Sequence, residues 1–128
     1  MSLKKTIQGA KGGEAAYKVL SDNSYLNASG TVPESIKIIE DAIAGSGANE
    51  EERQIFQIGL NCEADHVYNK DPKDPNKYEQ EGQKVLFESP AMIDYYVKLL
   101  QEHPLVTYIE DAFACFDFDA HKAFREKL

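Results

Sequence analysis

A stretch of helical periodicity between two short apolar runs constrains this chain most. Ser89-Pro90 offers an N-cap with proline in the first turn. Ile93, Tyr96, Val97 and Leu100 form one buried face, and His103-Pro104 ends the helix. Before it, Ile55-Phe56-Gln57-Ile58-Gly59-Leu60 suits a buried strand; after it, Leu105 to Ile109 is a second, terminated by Glu110-Asp111. Parallel strands need a long crossover, and a helix between two strands supplies one. A last helix over 119–127, with Ala120, Ala123 and Phe124 inward, continues the alternation. The expected fold class is therefore α/β, a parallel sheet with covering helices. In such sheets chemistry gathers at the carboxyl ends of strands, which selects Asn61, Glu110 and, if a strand precedes them, the loop residues Asn27 to Gly30.

Upstream, Thr31-Val32-Pro33-Glu34 has capping-box spacing with the proline in the first turn. Ile36, Ile39 and Ile43, backed by Ile38 and Ala42, repeat at helical spacing up to Gly45 and Gly47. Gly12-Gly13 precede a short stretch in which Ala15, Ala16, Val19 and Leu20 give a helical apolar stripe. Residues 21–30 are rich in turn formers and read as loop with a short extended piece. Residues 69–83, with Pro72, Pro75 and Gly82, read as a polar excursion or ragged hairpin. No internal repeat is present.

One domain is the expectation for 128 residues, with 1–11 as leader or loosely ordered chain. Against 14 Lys and Arg stand 22 Asp and Glu, a net charge of −8. Nucleic-acid and anionic-membrane binding need a basic face, so neither partner is expected. No apolar run approaches a membrane span and no signal-peptide core opens the chain, so a cytoplasmic setting is expected. Cys62 and Cys115 have neither CxxC nor zinc-ligand spacing and read as reduced thiols. The segment 70–77 (KDPKDPNK) lacks the central glycine and closing glutamate of a calcium loop. His66, His103 and His121 form no catalytic pattern, and neither cysteine has a base partner nearby in sequence.

Several stretches resemble the enolase (phosphopyruvate hydratase) family. Ile58-Gly59-Leu60-Asn61-Cys62 resembles the strand written IG(L/M)D(C/V), and Lys77-Tyr78 falls at a KYDLDFK-like stretch. His103 to Phe113 (HPLVTYIEDAF) resembles YPIVSIEDPF, and Asn27 to Pro33 (NASGTVP) sits where a DEGG(V/F)AP loop is found. Order and spacing match over most of residues 12–127. The resemblance implies about three consecutive βα units of an enolase-type TIM barrel, all within one segment spanning 1–128. It also implies a parent reaction: Mg²⁺-dependent dehydration of 2-phosphoglycerate to phosphoenolpyruvate in glycolysis, by a carbon–oxygen lyase.

Departures from the family pattern shape the functional expectation. Ala28 occupies the position of the family's catalytic glutamate and can neither donate nor accept a proton. Asn61 stands where the first metal aspartate is expected, offering one neutral oxygen. Glu110 retains the second metal carboxylate, with one extra residue between it and Pro104. The resemblance places the third metal aspartate and the lysine base beyond Leu128. One carboxylate does not fix a hard cation that wants six oxygens. The expectation is a chain inactive by itself, with no catalytic residue, no cofactor site of its own, and Glu110 and Asn61 as inherited metal positions. Its partner is the remainder of the barrel or a second copy, and a small phosphorylated acid only if the parent is active. A non-catalytic scaffold or interaction module is the alternative. Beside these stand plainer readings: Glu110 as a solvated strand-end carboxylate, Asn61 as an amide satisfying nearby backbone, and Asp111 and Asp117 as N-cap or loop residues.

Overall fold

The computed structural model describes residues 17–19, 21–22, 24–27, 30–69, 77–79 and 86–128. The chain divides into two compact units, Met1–Gln57 and Ile58–Leu128.

In the first unit, β1 (Tyr17–Val19) pairs antiparallel with β2 (Tyr25–Asn27). The helical stripe expected around Val19 is therefore corrected to a strand; Ala15, Ala16 and Leu20 lie outside the described residues. So short a segment does not recover the cost of helix nucleation, whereas a hairpin gives its backbone groups a partner at once. The Asp22 carboxylate accepts from the Ser24 N–H at 2.9 Å within the connection.

Helix α1 (Val32–Ala44) begins on the expected capping box: the Thr31 N–H donates to Glu34 Oε2 at 2.7 Å, and the Glu34 N–H to Thr31 Oγ1 at 3.5 Å. It stops at Gly45, whose N–H donates to the Asp41 carbonyl. Ile36 and Ala42 are buried, but Ile39 is exposed, so the inward stripe is narrower than the isoleucine spacing suggests. A short helix that the apolar pattern does not reveal, α2 (Glu50–Arg53), starts on a second capping box between Asn49 and Glu52. Arg53 donates from Nε to the Ala48 carbonyl at 2.9 Å and from Nη2 to the Ala44 carbonyl at 3.1 Å. It thereby fastens α2 to the open end of α1.

In the second unit, β3 (Ile58–Asn61) and β7 (Val106–Glu110) form a parallel pair, as the crossover argument requires. The first strand starts three residues later than its apolar run, because the turn closing α2 takes up Ile55 and Phe56, both exposed. After β3 come α3 (Ala64–Val67) and a three-stranded antiparallel sheet of β4 (Tyr68–Asn69), β5 (Lys77–Glu79) and β6 (Leu86–Glu88). Of the excursion expected over 69–83, Asn69 and Lys77–Glu79 are strand residues of this sheet, and 70–76 and 80–83 lie outside the described residues.

Helix α4 (Ser89–Glu102) then leads into β7, and α5 (Phe118–Lys127) follows. Ser89 is the first helical residue and not the N-cap; Glu88 holds that place without a side-chain cap bond. The Ser89 hydroxyl donates to Asp117 Oδ2 at 2.7 Å, a bond strengthened by the charge of the carboxylate. Met92, Ile93, Tyr96 and Leu99 are buried on α4, a face rotated from the expected one, with Val97 and Leu100 half-buried. The core is aromatic: Phe113 lies edge-on to Tyr78, Tyr96 and Phe124, with ring centroids 5.7–6.0 Å apart. Val106, Ile58, Ala120 and Phe124 complete it. Among the described residues, no helix is long and apolar enough to cross a membrane.

Candidate functional site at the strand ends

Ile58 pairs with Val106, but Gly59 pairs with Tyr108, so Thr107 has no opposite number on β3. This bulge takes up one residue of β7. From there the ladder runs evenly, Leu60 opposite Ile109 and Asn61 opposite Glu110. Because side chains alternate along a strand, Gly59, Asn61, Tyr108 and Glu110 share one face, and all four are exposed. Leu60 and Ile109 share the other face and are half-buried. An added Cβ at Gly59 would meet Tyr108 Cδ1 at 3.5 Å, so the Tyr108 ring lies directly across that glycine. The Tyr108 hydroxyl reaches along the strand and donates to Glu110 Oε2 at 3.4 Å.

The backbone continues this pairing past both strand ends. The Cys62 N–H donates to the Glu110 carbonyl at 2.9 Å, and the Ala64 N–H to the Asp111 carbonyl at 3.1 Å. Both exit turns carry a residue in the left-handed region, Glu63 at φ 44 and Asp111 at φ 50. The Asn61 side chain closes the first turn, its Oδ1 accepting from the Glu63 N–H at 3.2 Å. Behind the strand end, burial pushes the Cys62 thiol up against the opposing effect of its hydrogen bond with Tyr96. Burial, then the neighbouring Cys62, pushes the Tyr96 hydroxyl well above its ordinary range.

A second polar arrangement is legible in the sequence only at its N-cap, Asp117. The buried Tyr78 hydroxyl donates to Asp117 Oδ2 at 2.7 Å and accepts from the Ala114 N–H at 3.1 Å. Asp117 also accepts from Ser89 and, as N-cap of α5, from the Ala120 N–H at 3.2 Å. Burial works against the ionised carboxyl. The hydrogen bonds from Ser89, Tyr78 and Ala120 outweigh it and hold Asp117 below its usual range. Capping spacing points to Asp117 as an N-cap, but its partners 28 and 39 residues upstream leave no local signal.

The model of the family described as "Enolase, C-terminal TIM barrel domain" matches residues 1–128. The chain belongs to the enolase family. The parallel β3–β7 pair and the helices that follow its strands are βα units of that barrel architecture. Ala28 lies outside the described residues, while Asn61 and Glu110 are brought face to face. As a Mg²⁺ site these two residues do not fit. One carboxylate stands beside an amide whose oxygen is already engaged, and among the described residues no group of three or more His, Cys, Asp or Glu is arranged to hold a metal.

Proposed function

We propose that this enolase-family chain forms part of a barrel whose strand ends do not by themselves dehydrate 2-phosphoglycerate. The reaction of the parent family is the Mg²⁺-dependent conversion of 2-phosphoglycerate to phosphoenolpyruvate, a lyase step of glycolysis carried out in the cytoplasm. It needs a carboxylate set to gather Mg²⁺ and an acid to help hydroxide leave. One observation carries the reading: the register partner of Glu110 is an amide and not a second carboxylate. The alanine at position 28, where the family's catalytic glutamate is expected, supports it. Incubating the purified chain with 2-phosphoglycerate and Mg²⁺, and following phosphoenolpyruvate absorbance, tests the reading. No product above the uncatalysed rate is expected, and Mg²⁺-dependent product formation would overturn it.

A second reading, an enolase-derived scaffold or interaction module, is favoured by the open face of the β3–β7 pair, where Tyr108 is 59% exposed. Among the described residues the β3–β7 pair has no further strand beside it, an uncommon resting state for parallel strands that a second copy or other strands of a barrel would cover. Light scattering over a concentration series is the measurement. Mass rising with concentration supports self-association, and a constant monomer mass rejects it.

A further inference from the structure

The turn at the end of β3 assigns the two ends of the Asn61 amide. Glu63 contributes a backbone N–H to it at 3.2 Å, and of the two ends of an amide only the carbonyl oxygen accepts. Oδ1 is therefore folded back onto its own chain. That bond occupies one lone pair of the oxygen, and the other end of the amide is an NH₂ group, a donor carrying partial positive charge where an aspartate would carry a second oxygen. Glu110, the register partner on the same face, supplies the negative charge that would attract a cation there.

We infer that Asn61 excludes divalent cations from this strand end actively, by presenting a donor where a ligand must present a lone pair. The inference rests on the reading above, a strand end without the family's metal chemistry, and deepens it by naming the group responsible. An aspartate at position 61 makes the same turn bond with one oxygen and keeps the second for an ion. The amide makes the turn bond with its only oxygen. The chemical difference thus falls on the end of the side chain that does not make the turn bond, and it changes the sign of the charge offered there. The Tyr108 hydroxyl engages Glu110 Oε2, which further reduces the acceptor capacity of the one carboxylate.

Water-proton relaxation with Mn²⁺, a paramagnetic substitute for Mg²⁺ that reports weak binding, tests this on the full chain. Each form is measured with and without Glu110→Gln, so that binding to other acidic residues is subtracted. A passive loss of charge makes Asn61→Ala equal to the unmodified chain in its Glu110-dependent component. Active exclusion makes Asn61→Ala bind measurably tighter than the unmodified chain, and Asn61→Asp tighter again, on the order of tenfold over Asn61→Ala for the added charged ligand. Asn61→Ser retains a turn acceptor without the amide and should behave as Asn61→Ala does, which separates the NH₂ effect from disruption of the turn. Equal Glu110-dependent binding by the unmodified, Ala and Ser forms overturns the inference, as does the absence of such binding in Asn61→Asp. Neither result depends on turnover, so failure of the inference and failure of the inactive-chain reading are distinguishable.

Discussion

Glu110 stands opposite Asn61 in the β3–β7 ladder because Thr107, three residues earlier, is left without a partner. Were the strands paired evenly from Ile58 and Val106 onward, Glu110 would fall opposite Cys62. A one-residue slip reverses the face on which every side chain lies, so Glu110 would leave the face that carries Asn61. The bulge absorbs the extra residue locally and returns the strand end to register.

Deletion of Thr107 should therefore be tolerated, since it removes the extra residue and leaves Tyr108, Ile109 and Glu110 opposite the same partners. The expected change in unfolding free energy is within about 1 kcal/mol, as for residues outside a packed core. Amide exchange at Cys62, whose N–H donates to the Glu110 carbonyl, reports whether the pairing survives. Fast exchange there in an otherwise folded variant would show that the bulge does more than absorb a residue.

Asp117 binds β5, α4 and the start of α5 through one carboxylate. Tyr78→Phe removes a donor to that carboxylate and the acceptor of the buried Ala114 N–H, and should cost about 1–3 kcal/mol in denaturant unfolding. The folded Asp117 titrates below its ordinary value of 3.8. Its contribution is thus fully present above that value and is lost as pH falls through the lower folded one. The charged and titratable groups around it are Tyr78 and His121. Stability measured from neutral to acid pH should fall less steeply for Asp117→Asn than for the unmodified chain. Parallel acid limbs would exclude Asp117 as a contributor.

Cys115 is exposed, yet its thiol is held above its ordinary range, chiefly by the hydrogen bond with the Asp65 carboxylate. The Cys115 N–H also donates to Asp65 Oδ1 at 2.9 Å. Asp65→Asn removes the negative charge that disfavours the thiolate. The pH profile of iodoacetamide labelling at Cys115 should then move to lower pH, with several-fold faster labelling near neutrality. An unchanged profile would contradict the account of this thiol.

The parallel strand pair, the crossover helix and the capping box at Thr31 were all legible, because each is written in local spacing. Residues that face each other at the strand ends were selected by the rule that chemistry sits at the carboxyl ends of parallel strands. Other features depend on groups distant in sequence. Ser89 reads as an N-cap, whereas the helix begins on it and its hydroxyl donates to Asp117 in another element. Val97 and Leu100 fit the inward stripe of α4 as well as Met92 and Leu99 do. Only the position of the aromatic cluster around Phe113 distinguishes the two sets. The strand at Val19 was hidden for the same reason, since its ladder partner lies across a turn.

We propose that Ala28 and Asn61 together, and not Asn61 alone, keep this chain from dehydrating 2-phosphoglycerate. Groups that act as a unit do not rescue one another singly. The most direct test sets the unmodified chain beside Asn61→Asp, each titrated with Mg²⁺ by calorimetry and then followed by phosphoenolpyruvate absorbance in excess Mg²⁺. The expected result is a Mg²⁺ binding heat gained by Asn61→Asp and no product from either form. Mg²⁺-dependent product from the unmodified chain, or its restoration by the single substitution, would contradict the claim.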